Sequence, residues 1–270
     1  MHAWGENMNN FRNKAIGKAP LLGTFAEIPH PVAIEVMAQT RPDFICIDWE
    51  HGQIARDQIE NLVRACDVHS VPAMVRVPGH APEEIAAALD SGAQGILAPR
   101  VSTAAQAAAI VEASRYPPEG RRGVGPGRAT GYGYRIFDHL AEANSRVVVA
   151  VQVETAEGLA NVDGIAATEG VDVVFVGPGD LSVSLDAYRP EGARKLAKAI
   201  ETIIAATLKH GTAAGMFCGR PEDVGRWAAT GATFFLLASD TMFLGAATAS
   251  GLAEARAGLK PSARKRSAKG

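Results

Sequence analysis

The sequence predicts an α/β protein that folds as a (β/α)₈ barrel of eight parallel strands and their covering helices. Short apolar runs rich in Val, Ile, Leu and Phe recur eight times, which is typical of strands buried on both faces. Segments with apolar residues at helical spacing separate these runs, for example Leu196, Ile200, Ile203 and Ile204. The chain has 270 residues, 47% of them apolar, which suits a single barrel domain. The alternation alone also permits an open, doubly wound sheet.

The eight strand runs are spaced so that a helix fits after each one. In chain order they are Leu21–Ala26, Phe44–Asp48, 72–77, Gly95–Ala98, 147–154, 171–176, 212–216 and 234–238, and a last helix is expected at 241–255. Two connections are longer than a strand–helix–strand unit requires, namely the Gly- and Arg-rich stretch 119–135 and the stretch 178–190. We expect one barrel domain over residues 1–258 and a basic, flexible tail over residues 259–270.

Composition excludes several classes of function. A formal net charge of −2 gives no electrostatic basis for nucleic-acid binding. No apolar run approaches the roughly 20 residues that cross a bilayer, and residues 1–18 lack the apolar stretch of a signal peptide. The three cysteines, Cys46, Cys66 and Cys218, have no paired spacing, as in reduced cytosolic proteins. The sequence therefore predicts a cytoplasmic protein that acts on small molecules and binds neither nucleic acid nor membrane.

The second and third predicted strands end in ionisable side chains. In a barrel the active site lies at the carboxyl ends of the strands. The second strand runs into Asp48, Glu50 and His51, and the imidazole is suited to proton transfer near neutral pH. Capping of the following helix explains Asp48 as well as a catalytic role does. Arg76 ends the third strand and suits a carboxylate or enolate oxygen, or an ion pair with Asp48 or Glu50.

The fifth and sixth strands predict a cation site. Gln152 and Glu154 are two residues apart in a strand, so their side chains point to the same side. A buried carboxylate is costly without a positive partner. Asp180 follows the Gly-Pro-Gly turn after the sixth strand and supplies a second carboxylate. Two carboxylates with open positions beside them suit a hard divalent cation such as Mg²⁺ or Mn²⁺.

The lysines argue against an aldolase that works through a Schiff base, because none of them falls in a predicted strand. They are Lys14, Lys18, Lys195, Lys198, Lys209, Lys260, Lys265 and Lys269. A metal and Arg76 would then have to stabilise an enolate. The glycine-rich stretch 123–127 lacks the strand–turn–helix context of a phosphate loop, and we expect a loop or lid there.

The strand-end motifs together resemble the HpcH/HpaI aldolase family of metal-dependent class II pyruvate aldolases. The similar segments run in order from residue 43 to residue 240: DFICIDWEHG, VPAMVRVP, ALDSGAQGILAPRV, RYPPEGRRGVGPGRATGYG, VAVQVETAEG, VFVGPGDLS and ASD. They cover nearly the whole predicted barrel.

The resemblance implies a divalent metal held by Glu154 and Asp180, with Mg²⁺ or Mn²⁺ as the cofactor and Co²⁺ as a substitute. It also implies a set of residues around the bound 2-oxo acid. These are Arg76, Gln152, Gly179, Asp180 and Ser182.

The resemblance further implies that His51 is the catalytic acid and base, beside Arg76 and Asp48. In the family a carboxylate from a neighbouring subunit supports this histidine, and Asp90 matches that position. Family members form homohexamers that exchange their C-terminal helix between subunits. The resemblance therefore places Asp90 at a subunit interface.

The function implied is that of an aldehyde-lyase. It would reversibly cleave 4-hydroxy-2-oxo acids to pyruvate, or hydroxypyruvate, and an aldehyde, in the catabolism of aromatic or sugar acids. The alternatives are a citrate lyase subunit-like enzyme that cleaves a CoA thioester on the same scaffold, and a non-catalytic barrel. The sequence leaves the aldehyde open. Arg121, Arg122 and Arg128 in the long connection suit an acidic aldehyde, or are simply an exposed basic loop.

Overall fold

The computed structural model describes residues 11–259, which form a closed barrel of eight parallel strands in sequential order. The strands are β1 (Leu21–Ala26), β2 (Phe44–Asp48), β3 (Ala73–Arg76), β4 (Gly95–Ala98), β5 (Val148–Val153), β6 (Val173–Val176), β7 (Ala213–Cys218) and β8 (Phe234–Ser239). β8 pairs with β1 and closes the sheet, so the barrel prediction is confirmed and the open sheet is excluded. Within residues 11–259, no helix is long and apolar enough to cross a membrane.

Helices surround the barrel and follow each strand. Within the described part of the chain they are α1 (Phe11–Ala15), α2 (Pro31–Ala38), α3 (Arg56–Val68), α4 (Pro82–Asp90), α5 (Ala104–Ser114), α6 (Ile136–Arg146), α7 (Ala156–Ala160), α8 (Val162–Ala166), α9 (Pro178–Ser184), α10 (Ala193–Lys209), α11 (Pro221–Ala228) and α12 (Asp240–Gly258). Their apolar sides and the outward faces of the strands share one large core. No described lysine lies in a strand, as the sequence predicts.

A second core fills the inside of the barrel at its amino end. The ring centroids of Phe44 and Phe234 lie 4.4 Å apart, and Phe11 of α1 packs on Phe44 at 5.6 Å. Burial of each such side chain stabilises the fold by roughly 1.5–3 kcal/mol. Gly23 leaves room for this cluster, because a Cβ there would lie 2.6 Å from the Phe44 ring. The lumen is therefore filled at its amino end and open at its carboxyl end.

A buried ion cluster fastens α1 to this closed end. Asp172, which precedes β6, accepts a hydrogen bond from Arg12 Nε at 2.9 Å and one from Arg115 Nη2 at 3.0 Å. It also accepts from the backbone N–H of Val149 at 2.9 Å. Two arginines and a strand amide thus donate to one buried carboxylate, and these bonds offset the desolvation cost of its charge.

The long connection after α5 folds against the amino end of the barrel. Arg122 donates to Asp90, the last residue of α4, at 2.7 Å, and Arg128 pairs with Asp67 near the end of α3. The stretch 123–127 was expected to be a loop or a lid. It is a loop, and it does not cover the mouth of its own barrel. The contacts that hold this connection at the amino end join residues far apart in sequence. The local sequence pattern therefore did not predict its position.

The helix α12 begins at the barrel and then leaves it. Ser239 Oγ accepts from the N–H of Met242 at 3.3 Å and caps the helix, while the Asp240 carboxylate accepts from the N–H groups of Glu27 and Ile28 at 3.0 Å. Every residue from 241 to 259 is exposed in the single chain, including Phe243 and Leu244. The helix thus presents apolar side chains that its own barrel does not cover.

Candidate active site

Alternation along the strands brings four polar side chains into the lumen above the aromatic cluster. In β2 the lumen-facing residues are Phe44, Cys46 and then Asp48, and β3 continues in the same way from Met74 to Arg76. In β5, Val148 and Ala150 precede Gln152, and Glu154 follows just after the strand. The predicted orientation of Gln152 and Glu154 toward one side is confirmed, and that side is the inside of the barrel.

Asp48 holds Arg76 and the turn that follows β2. The carboxylate is fully buried and accepts from Arg76 Nε at 2.9 Å, while its second oxygen pairs with Arg76 Nη2. It also accepts from the backbone N–H groups of Glu50 at 3.2 Å and His51 at 3.1 Å. Asp48 is therefore the ion-pair partner of Arg76, and it caps the turn at residues 48–51 rather than the following helix, which begins at Arg56. These bonds use both carboxylate oxygens, so the role of Asp48 is to hold Arg76 and the turn at residues 48–51 in place.

Arg76 places a fixed positive charge at the floor of the mouth. Its guanidinium is buried and lies 4.3 Å from the centroid of the Phe25 ring. Burial acts against the charge, but the hydrogen bond and negative charge of Asp48 outweigh it and raise the pKa of Arg76. The arginine is therefore an oriented, permanently charged donor.

Glu50 was expected at the mouth, among the ionisable groups after the second strand, and as a possible partner of Arg76, but not as a site residue in its own right. Its side chain is 5% exposed, and its Oε2 atom has no hydrogen-bond partner among the described residues. This oxygen lies 3.7 Å from His51 Nε2 and 3.6 Å from Arg76 Nε. The side chain of His51 is 54% exposed, so the imidazole stands at the open mouth with a carboxylate behind it. No local sequence pattern distinguishes a buried Glu50 from an exposed one.

Glu154 is a buried carboxylate supported by two donors. Gln152 Nε2 donates to its Oε2, and the backbone N–H of Arg100 donates to its Oε1 at 2.8 Å. The other amide atom, Gln152 Oε1, is buried and has no partner in the described chain. A Cβ on Gly177 would lie within 2.6 Å of both Glu154 Oε2 and Gln152 Nε2, so any larger residue there would displace this pair.

Asp180 and its neighbours lie on α9, the short helix after β6. Gly179 and Asp180 are exposed to the mouth side, whereas Ser182 is buried and donates from Oγ to the carbonyl of Gly179 at 2.6 Å. The charge of Asp180 acts on Glu154 across the gap between β5 and β6. The two carboxylates that the sequence paired are therefore electrostatic neighbours.

The charges around Glu154 fit a divalent cation. Burial raises the pKa of Glu154, its bonds to Gln152 and to the Arg100 amide lower it, and the negative charges of Asp180 and Glu50 raise it further. A cation between Glu154 and Asp180 would remove this repulsion. Within residues 11–259 no group of three or more His, Cys, Asp or Glu side chains surrounds a single point. Two protein carboxylates plus substrate oxygens are a donor set typical of Mg²⁺.

Asp90 does not join this constellation within one chain. It ends α4 at the amino end of the barrel, where Arg122 binds it, whereas His51 stands at the carboxyl end. At the carboxyl ends of the strands the structure places His51, Arg76, Asp48, Gln152, Glu154, Gly179, Asp180 and Ser182, whereas Asp90 lies at the opposite end. Contact between Asp90 and a histidine of another subunit stays a prediction.

Comparison with known proteins assigns this barrel. Residues 21–247 match the family described as HpcH/HpaI aldolase/citrate lyase. The chain belongs to this family. A hydroxypyruvate/pyruvate aldolase of Deinococcus radiodurans is 37% identical to it over 87% of this chain and 86% of that protein. The 5-keto-4-deoxy-D-glucarate aldolase of Klebsiella pneumoniae subsp. pneumoniae is 34% identical over 86% of this chain and 91% of that protein.

Solved structures agree with the assignment to the HpcH/HpaI family. The crystal structure of an HpcH/HpaI aldolase/citrate lyase family protein from Burkholderia cenocepacia J2315 has a TM-score of 0.86 and 34% identity, over 92% of this chain and 98% of that chain. The predicted family and fold are confirmed. So is the prediction of an enzyme: this HpcH/HpaI protein is a lyase of the aldolase type, and its family implies a divalent metal cofactor in general.

Proposed function

We propose that this enzyme is a metal-dependent aldolase that cleaves 4-hydroxy-2-oxo acids to pyruvate or hydroxypyruvate and an aldehyde. The observation that carries the proposal is the buried carboxylate of Glu154, which faces the charge of Asp180 in a mouth that also holds Arg76 and His51. Its relatives are named for aldol chemistry on pyruvate, hydroxypyruvate and a keto-deoxy sugar acid.

Glu154 and Asp180 are the residues that would hold the metal. When bound there, Mg²⁺ or Mn²⁺ would polarise the keto oxygen of the 2-oxo acid and offset the charge that develops on it. Gln152 orients Glu154 through its amide N–H, and its free carbonyl oxygen faces the same region. The backbone around Gly179 and Ser182 would border the carboxylate of the 2-oxo acid.

Arg76 would bind the oxygens of the 2-oxo acid. Asp48 binds the Nε and Nη2 groups along one edge of the guanidinium, so the group is oriented before substrate arrives. A preoriented positive donor stabilises negative charge on the keto oxygen more than it stabilises the neutral ketone. Asp48 therefore acts by positioning Arg76.

His51 would move the protons of the reaction. In the cleavage direction His51 takes the proton of the C4 hydroxyl, and the C3–C4 bond breaks. The electrons of that bond pass to the enolate of pyruvate, and the aldehyde departs. The proton then returns to C3 and gives pyruvate, so no proton is gained or lost overall. Glu50, 3.7 Å away, would stabilise the imidazolium between these two transfers.

We further propose that the enzyme is a cytoplasmic homohexamer in which α12 is exchanged between subunits. The exposed apolar side chains of α12 support an exchange, because they would otherwise remain in water. In the hexamer Asp90 of one subunit would support His51 of another.

The barrel domain over residues 1–258 stays a proposal, and the basic tail falls outside the described residues except for residue 259.

Removal of the metal tests the proposed function. The protein is treated with EDTA, and pyruvate release from a 4-hydroxy-2-oxo diacid is measured before and after addition of Mn²⁺ or Mg²⁺. We expect loss of activity in EDTA, recovery with either metal, and no recovery in Glu154→Gln. Glu157→Gln, which changes an exposed carboxylate three residues further on, is the matched control and should behave as wild type. Full activity in EDTA would exclude the proposal, and cleavage of a citryl thioester instead of the diacid would favour the citrate lyase-like alternative.

A further inference from the structure

Arg100 stands at the end of β4 with its backbone tied to the metal-site carboxylate. Its φ is +53°, a left-handed conformation that a non-glycine residue rarely adopts. In this conformation its N–H donates to Glu154 Oε1 at 2.8 Å. The surrounding structure therefore enforces an unfavourable backbone in order to hold residue 100 beside the proposed metal ligand.

The side chain of Arg100 lies along the rim of the mouth and makes one long polar contact there. It extends from the end of β4 past β3 to the end of β2, where Nη2 lies 3.3 Å from Glu50 Oε1. Within residues 11–259 this long contact is its one hydrogen bond, and 66% of the side chain is exposed. A guanidinium has five N–H donors, so most of those on Arg100 have no protein partner within residues 11–259.

Glu50 does not depend on Arg100 for its charge balance. Its other oxygen lies 3.6 Å from Arg76 Nε and 3.7 Å from His51 Nε2. Departure of the Arg100 side chain would thus leave Glu50 with two positive or potentially positive neighbours. Arg100 can exchange this weak contact for a stronger one when an anion enters the mouth.

We propose that the guanidinium of Arg100 binds an anionic group on the aldehyde half of the substrate and so sets the preference for carboxylated aldehydes. This inference rests on the proposed aldolase function. Arg76 and Glu154 are buried at the floor of the mouth, so the aldehyde half has to lie toward the opening, where the Arg100 side chain is exposed. The planar fork of arginine matches a carboxylate in a paired geometry.

Two aldehydes of equal chain length test the proposal. Aldol addition of pyruvate in the presence of Mn²⁺ is measured with 4-oxobutanoate and with butanal, which differ in the terminal carboxylate. We expect Arg100→Met to lower the ratio of kcat/KM for 4-oxobutanoate over that for butanal by about tenfold, chiefly through a higher KM for the anion, as for loss of one charge-assisted hydrogen bond. Arg100→Lys keeps the charge but loses the fork and should fall between wild type and Arg100→Met.

Arg220→Met is the matched control. Arg220 is also at the carboxyl end of the barrel, after β7, and its side chain is 67% exposed, but two hydrogen bonds tie its guanidinium to Asp223. Its removal lowers the charge of the rim equally and should leave the ratio within twofold of wild type. A ratio unchanged in Arg100→Met, or an equal fall in Arg220→Met, would overturn the role of Arg100. Absence of addition to both aldehydes in the wild type would overturn the proposed aldolase function, and this inference with it.

Discussion

The Asp48–Arg76 pair shows how one residue can serve both the fold and the site. Asp48 is fully buried and is bonded to the guanidinium as well as to two turn amides. Asparagine would keep one oxygen for the turn but lose the charge that neutralises Arg76. A buried cation left without its partner typically costs about 3–5 kcal/mol.

We therefore expect Asp48→Asn to lower the free energy of unfolding in urea by about 3–5 kcal/mol. It should also reduce kcat at temperatures where the variant remains folded, because Arg76 loses its fixed orientation. Glu60→Gln is the control, since Glu60 pairs with Arg64 on the exposed surface of α3 and its loss should cost less than about 1 kcal/mol. A destabilisation by Asp48→Asn no larger than this would show that the buried pair contributes little.

The sequence predicted which side chains reach the site where their direction follows from the two-residue period of a strand. It did not predict those whose position depends on long-range contacts. The period of two placed Gln152 and Glu154 together, and the strand ends placed Asp48 and Arg76 in the mouth. Glu50 and Arg100 were not chosen as site residues. Their positions depend on a turn and on a left-handed backbone that tertiary bonds enforce, and local pattern carries no signal for either.

At the scale of elements, the order of strands and helices was predictable but the attachment of the long connection was not. Eight buried runs became eight strands, with ends shifted by at most two residues, as for the seventh run, 212–216, and β7, Ala213–Cys218. The stretch 119–135 contains charges that suit either end of a barrel. Its placement depends on Asp67 and Asp90, whose carboxylates lie at the helix ends of the closed side. Sequence alone does not reveal such pairs across 32 or 61 positions.

The same region contains a histidine that makes stability depend on pH. His139 of α6 packs edge-on against Tyr116 with ring centroids 5.7 Å apart, and its Nε2 is buried without a partner among the described residues. Burial lowers the pKa of His139, and the positive charge of Arg122 lowers it further. The unfolded chain therefore takes up this proton at a higher pH than the folded chain does.

This difference predicts that the free energy of unfolding falls as the pH drops through the unfolded histidine pKa, about 6.5, and stops falling once the folded pKa is passed. His139→Gln removes that titration, so the slope of stability against pH between about 7 and 5 should be flatter than in wild type. Urea unfolding at a series of pH values measures this slope. His69→Gln, at the C-terminal end of α3, is the control variant. Equal slopes in wild type and His139→Gln would contradict the prediction.

At the scale of the whole molecule, a single chain leaves two features unexplained. The carboxyl-terminal helix α12 is exposed along its length, and the amino end of the barrel carries exposed Tyr134 and Phe137 beside the Arg122–Asp90 pair. Exposed apolar groups of this extent indicate contact with another protein surface. A subunit whose amino end faced the mouth of its neighbour would bring Asp90 to a foreign His51, as the proposed hexamer requires.

Mixed oligomers test this arrangement directly. His51→Ala and Asp90→Asn should each lose most activity as pure proteins. In an oligomer co-expressed from both, some sites combine the intact His51 of one chain with the intact Asp90 of the other. With random mixing of equal amounts, about a quarter of the sites regain both groups, so pyruvate release should recover to about a quarter of the wild-type level. If the mixture is no more active than the average of the two variants, Asp90 does not act across the subunit boundary, and its bond to Arg122 would be its whole role.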